Sequence, residues 1–217
     1  MEIDFARIRE QLRQLRDTAA LSSVFGAETH RFITHPPLSE EIVQDFETQQ
    51  KITLPPEYRG FLIHVGNGGA GPAYGLFKLG EMDSNWRHKR WKQNDGFVGK
   101  LTIPFPHTGP WNDRSEEPVY HATRENDPEW EDEYQRQVDA WEERVYWNSS
   151  QVNGEIPICH LGCAYRQWLV VAGSEAGNVW DDNRADYGGL KPVQQRGRGR
   201  VTFLEWYGDW LEEALGS

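Results

Sequence analysis

Residues 52–79, ITLPPEYRGFLIHVGNGGAGPAYGLFKL, hold the pattern that decides the fold. Leu54 and the Pro55-Pro56 pair open a short helix, because a proline in the first turn gives up only an amide that has no helical partner. Tyr58, Phe61, Leu62 and Val65 follow at helical spacing and form one apolar stripe, which predicts a helix lying on a core. Gly66 stands where such a helix takes a left-handed stop, and Asn67, Gly68 and Gly69 add positions able to adopt positive φ. Gly71-Pro72 breaks the chain once more before a strand-like Leu76 to Leu79. The unit reads as helix, glycine corner, strand. That order is the reverse of the strand, glycine loop and helix that aim amides at a phosphate, so GNGGAG is not a nucleotide cradle.

LPPEYRGFL, GNGGAGP and YGLF in this order resemble the signature segment of the SUKH superfamily of Smi/Knr-type domains. The likeness continues upstream through Glu40, Ile42, Phe46 and Glu47. Downstream it takes in Ile156-Pro157-Ile158, Leu169-Val170-Val171 and Gly177-Asn178-Val179-Trp180, leaving out about 81–153. The resemblance implies a single SUKH-like domain over 1–217, with the signature region at about 39–80 and an acidic insertion at about 112–150. It implies a binding domain without catalysis. Many bacterial members are immunity proteins that neutralise toxin domains of polymorphic or contact-dependent systems, and fungal relatives are regulatory interaction proteins.

Composition sets outer limits that agree with one domain. A chain of 217 residues, 37% apolar and 12% aromatic with ten tryptophans, has enough to build a real core. No apolar run reaches the length of a membrane helix, and MEIDFARIREQLRQL is amphipathic and charged, unlike a secretory signal, which points to the cytoplasm. Cys159 and Cys163 are the two cysteines, too few for a disulfide framework. Their CHLGC setting lacks the second ligand pair that structural zinc takes, so they are expected as ordinary thiols at a hairpin.

Around the signature, the spacing predicts a first helix over about 4–18, a short edge strand over 29–34, and a second helix capped by Ser39 with Ile42, Val43 and Phe46 inward. Residues 97–105 read as a strand. Strands are also expected at 156–160, 167–172 and 178–180, an antiparallel meander, with flexible loops at Gly188-Gly189 and across the RGRGR tract of 196–200. Thr202 and Glu205 form a capping box ahead of a final helix whose Phe203, Trp206, Tyr207, Trp210 and Leu211 should be core. The expected class is α+β: a largely antiparallel sheet flanked by helices, with an inserted acidic helix.

That insertion is the most unusual composition in the chain. Residues 113–144 carry twelve acidic side chains and four arginines, a net of −8 within a total of −11. Asp127 and Pro128 start a helix there, and Trp130, Tyr134, Val138, Trp141 and Val145 line one side of it. The other side is a charged display, either a solvated face or a surface complementary to a basic partner. Glu129, Glu131, Asp132 and Glu133 are the candidate contacts, joined by Trp180, Asp181, Asp182 and Asp186 in a second turn. That turn lacks the glycine and terminal glutamate of an EF-hand and reads as an Asp/Asn turn rather than a calcium loop. Arg87, Lys89, Arg90 and Lys92 interleave with Trp86, His88 and Trp91, a pattern seen on nucleic-acid surfaces, yet the net charge of −11 repels a polyanion and favours a solvated loop.

No G-x-S-x-G, H-E-x-x-H, Walker or dinucleotide-binding motif is present, and the seven histidines include no i, i+4 pair. The expectation is a cytoplasmic immunity protein, monomeric or weakly dimeric, that binds a basic, nuclease-type toxin domain. It uses no cofactor or metal and touches neither nucleic acid nor membrane. The alternatives are a regulatory or scaffolding module for a cellular partner, and an enzyme whose site the sequence does not display.

Overall fold

The computed structural model describes residues 4–18, 23–81 and 98–216. Its class is α+β: helices packed with a four-stranded antiparallel sheet in the order β1-β2-β3-β4. Helix α1 (Phe5–Asp17) is capped by the Asp4 side chain, which accepts from the Arg7 amide, and buries Leu12 and Leu15. A short α2 (Ala27–His30) follows. Ser39 caps α3 (Glu40–Gln50) as its residue type requires, and α4 (Pro56–His64) begins at the proline pair. Helix α5 (Pro128–Trp141) runs into a π-helical turn at Glu142–Tyr146. The capping box at Thr202 and Glu205 opens α6 (Phe203–Leu215).

The signature helix and the last helix hold one another through rings. Phe61 meets Phe203 at 5.2 Å and Tyr207 at 4.9 Å between centroids, and Tyr58 meets Phe203 at 4.9 Å. Each edge-on pair adds about 0.5–1.5 kcal/mol to the area it buries. Glu57 joins the two helix starts by accepting from the Leu204 amide, and the Tyr207 hydroxyl donates to the Ala70 carbonyl in the glycine corner. The corner differs in one detail from the expected stop. The helix ends through Val65 at φ −113°, and Gly66 serves close approach instead, because a Cβ there would lie 2.5 Å from Thr34 Cβ and 2.6 Å from the His35 carbonyl oxygen. The left-handed turns fall later, at Gly68 and Gly69.

The strands are β1 (Glu155–Gly162), β2 (Tyr165–Val170), β3 (Val179–Asp182) and β4 (Leu190–Pro192). Strand β4 begins directly after Gly188-Gly189, where the sequence predicts no strand. The 196–200 tract is tied down, with Arg198 on Asp209, Arg196 on Asp209 and Glu212, and Arg200 on Glu175. Three predicted strands do not form; of these, Leu76 to Leu79 keeps only isolated bridges from Leu76 to Gly69 and Cys159. In place of an edge strand over 29–34 there is α2, then Arg31 and Phe32 in the left-handed region, because the His30 ring turns inward and takes the Phe32 amide on Nδ1. Within 98–105 the chain turns rather than extends. Val98, Leu101 and Phe105 are buried at helix-like spacing, while Lys100 and Phe105 bond to Asn153 and Ala172. Residue 97 and the Trp86–Lys92 stretch lie outside the described residues. Ile42, expected inward, is 52% exposed, since α3 turns Val43 to the core.

Residues 74–77 cover the free edge of β1, with the Tyr74 and Phe77 amides donating to the His160 and Ile158 carbonyls. The β1–β2 hairpin closes on Cys163 and Ala164 with φ of 48° and 67°, a two-residue turn whose positive φ values suit Asn-Gly. L-residues cost about 1–2 kcal/mol each in that region, part of which a glycine returns through its greater freedom when unfolded. Cys163→Asn with Ala164→Gly is therefore expected to stabilise the protein by about 1 kcal/mol, read as a higher urea midpoint at unchanged slope.

Candidate functional site

The acidic segment has two ends with different jobs. At the start of α5 the Asp127 side chain accepts from the Trp130 amide, and Arg124 pairs with Asp127 at 2.8 Å while lying over the Trp130 ring. The Arg124 hydrogen bond holds the Asp127 carboxyl below its usual range. Trp130, Tyr134 and Tyr120 stack among themselves at 5.3–5.4 Å, so this end packs on its own preceding loop. Trp130, Trp141 and Tyr146 are buried yet stand outside the main core cluster. At the far end, Trp141, Tyr146 and Tyr187 form a second ring cluster, and the Tyr187 hydroxyl donates to Glu142.

Between these anchors Glu129, Glu131, Asp132 and Glu133 all face solvent. Glu133 pairs with Arg136 and accepts from Gln137, which keeps its carboxyl low. The side chains of Glu129, Glu131 and Asp132 carry no ion pair or hydrogen bond among the described residues. The second candidate turn divides. Asp186 is exposed and accepts from the Tyr165 hydroxyl at 2.7 Å. Asp181 is half-buried against Gln167, and burial pushes its carboxyl up. Trp180 and Asp182, at 0% and 2% exposed, face the interior, where strand alternation turns them, and so present no surface to a partner. Asp186 adjoins the C-terminal end of α5, whereas Glu129–Glu133 sit at its start, roughly 16 Å away along the helix axis. The two sets are not one patch.

Asp182 belongs to a buried polar cluster. Its carboxylate takes the Arg184 guanidinium through two bonds, at 2.9 and 2.8 Å, together with the Arg184 amide and the Trp168 indole N–H. Arg184 also donates to the Tyr146 carbonyl and lies 4.8 Å over the Trp147 ring. The insertion is thereby fastened to the sheet. Nearby, Glu155 is fully buried. Neither Glu155, Arg184 nor His30 stands out in sequence. The one available signal is the i, i+2 spacing of Asp182 and Arg184, which many turns share. Cys159 is buried and donates to the Pro72 carbonyl, whereas Cys163 is exposed at the hairpin tip. Among the described residues no group of three or more His, Cys, Asp or Glu side chains is placed to hold a metal ion, and no helix is long and apolar enough to cross a membrane.

No family model, no curated protein and no solved structure matches this chain.

Arg184→Met leaves the Asp182 charge buried without its counterion and is expected to cost about 3–5 kcal/mol in chemical denaturation, with Asp182→Asn on top recovering part of the loss. Burial pulls the His30 imidazole from 6.5 down to about 4. The unfolded chain then binds the proton that the folded one refuses, so this contribution is present above pH 6.5 and lost as pH falls through about 4. His30→Gln should flatten that acid limb of the melting temperature.

Proposed function

We propose that this chain is a non-catalytic, SUKH-type immunity protein of the bacterial cytoplasm that neutralises a toxin domain by covering a basic cleft with the first turns of α5. One observation carries this reading. An acidic face, with three side chains that make no ion pair among the described residues, is mounted on a helix capped at its start and packed at its far end on Tyr146 and Tyr187. A face held rigid in advance loses little conformational freedom on binding, and a local −8 both speeds the encounter with a cationic surface and selects for one. A nuclease-type toxin, which must itself grip phosphates, offers such a surface.

The absence of catalysis in this reading is supported by where the strongly shifted groups lie. His30, Cys159 and Glu155 are packed inside rather than set on the wall of a cleft. An open groove along Leu54, Pro55, Pro56, Val171 and Gly177 offers one carboxylate, Glu57, and its oxygen is already taken by the Leu204 amide.

The decisive experiment is co-purification with the C-terminal domain of a large secreted protein encoded beside this chain, followed by an assay of whether that domain's toxicity is suppressed. Binding without suppression, or no binding to any such domain, would overturn the proposal. If it holds, reversing Glu129, Glu131, Asp132 and Glu133 to lysine should slow association about tenfold or more at low salt and flatten its salt dependence. The fold should survive, because Glu133–Arg136 is an exposed pair contributing less than about 1 kcal/mol. Unchanged association kinetics would take α5 out of the interface.

A further inference from the structure

The interior holds a carboxyl that the fold leaves unused. Glu155, the first residue of β1, is 0% exposed, and neither of its side-chain oxygens meets a donor among the described residues. Strand register puts it on the same sheet face as Trp168, Trp180 and Asp182. Two charged groups bear on it: Asp182 of β3, which disfavours its ionisation, and Arg184 of the following turn, which favours it. The other ionisable groups around this set are Tyr146 from the π-helical turn, His107 from the 98–112 segment, and Arg166, buried opposite Asp182 on β2.

The guanidinium that could answer a charged Glu155 is already committed to Asp182 and to the Tyr146 carbonyl. Above Glu155 the chain is tightly stitched. The Gly154 amide donates to the Lys100 carbonyl, Lys100 takes Asn153, and a Cβ at Gly154 would strike the Ile103 carbonyl and Phe105 amide at 2.6 Å. Residues 98–107 and 142–152 are held over this end of the sheet through these bonds and through Arg184 on the Tyr146 carbonyl.

We propose that Glu155 is a proton-controlled latch beneath that cover: the cover closes over a neutral carboxyl, and opening it releases the proton to water. Burial and the Asp182 charge hold the closed-state carboxyl well above the usual range, while the opened, hydrated carboxyl returns to it. The sign follows from linkage. A raised acid contributes closure that is complete at low pH and lost as pH rises, with the opening constant growing about tenfold per pH unit while the closed form keeps its proton. The contact most readily given up is the 3.4 Å bond from Arg184 to the Tyr146 carbonyl, the longest hydrogen bond of that guanidinium among the described residues. An ionised Glu155 would compete for the same cation.

Hydrogen exchange of the 142–152 amides in the full chain tests this, each rate corrected for the intrinsic pH dependence of exchange. Above the ordinary carboxyl range the wild-type opening constant should climb with pH, by up to about tenfold per unit, and Glu155→Gln should remove that slope and slow opening at the upper pH. Equal slopes in the two proteins would overturn the proposal. The wild-type infrared spectrum supplies a check that needs no variant to fold as expected: a protonated-carboxyl stretch should persist at pH values where ordinary carboxyls are ionised, and its absence would overturn the proposal equally.

Discussion

A small antiparallel sheet covered on both faces has only the protein interior to answer the charges it buries. One face here takes the rings of α4 and α6, and the other takes Phe105, Tyr146 and the segments around them. Asp182 points into that second layer, and removing a carboxylate from water costs several kcal/mol unless something answers it. Arg184, the Trp168 indole and a backbone amide answer it together. The ion pair does more than cancel a penalty. By extending to the Tyr146 carbonyl and the Trp147 ring it makes the end of the acidic insertion part of the sheet's cover, so the layer and the polar interior depend on each other.

This dependence gives α5 its character. A charged helix standing alone would be marginal, with its first turn crowded by like charges. Here capping by Asp127, the Arg124–Trp130 contact and two ring clusters hold its apolar side, leaving the carboxylates free to serve solvent or a partner. Rigidity at the anchors and unspent charge between them are what a docking surface needs.

Much was legible in advance where local chemistry decides structure. Ser39, Asp127 and the Thr202–Glu205 box started helices as their side chains dictate, and the stripe Tyr58, Phe61, Leu62, Val65 was core as its spacing requires. Failures came where a distant contact outweighed a local preference. Residues 29–34 look extended until the His30 ring is seen to turn inward, and 98–105 look extended until Asn153 and Ala172 claim their amides. At the candidate site, the acidic display on α5 could be read from composition, but the burial of Trp180 and Asp182 could not, because a turn rich in Asp and Asn is ordinarily wet.

By itself, then, the sequence determined the α+β class, most of the helix starts, the antiparallel meander and the concentration of negative charge in one insertion. All of these follow from periodicities and caps that act over a few residues. Tertiary structure alone decided that the acidic segment covers the sheet, that Asp182 is matched by Arg184, and that Glu155 lies buried with no hydrogen-bond donor among the described residues. The physical reason is that solvation belongs to the assembled interior: whether a carboxylate is hydrated, paired or neutral depends on the segments that close over it, here around Lys100 and Tyr146, and no local pattern records them.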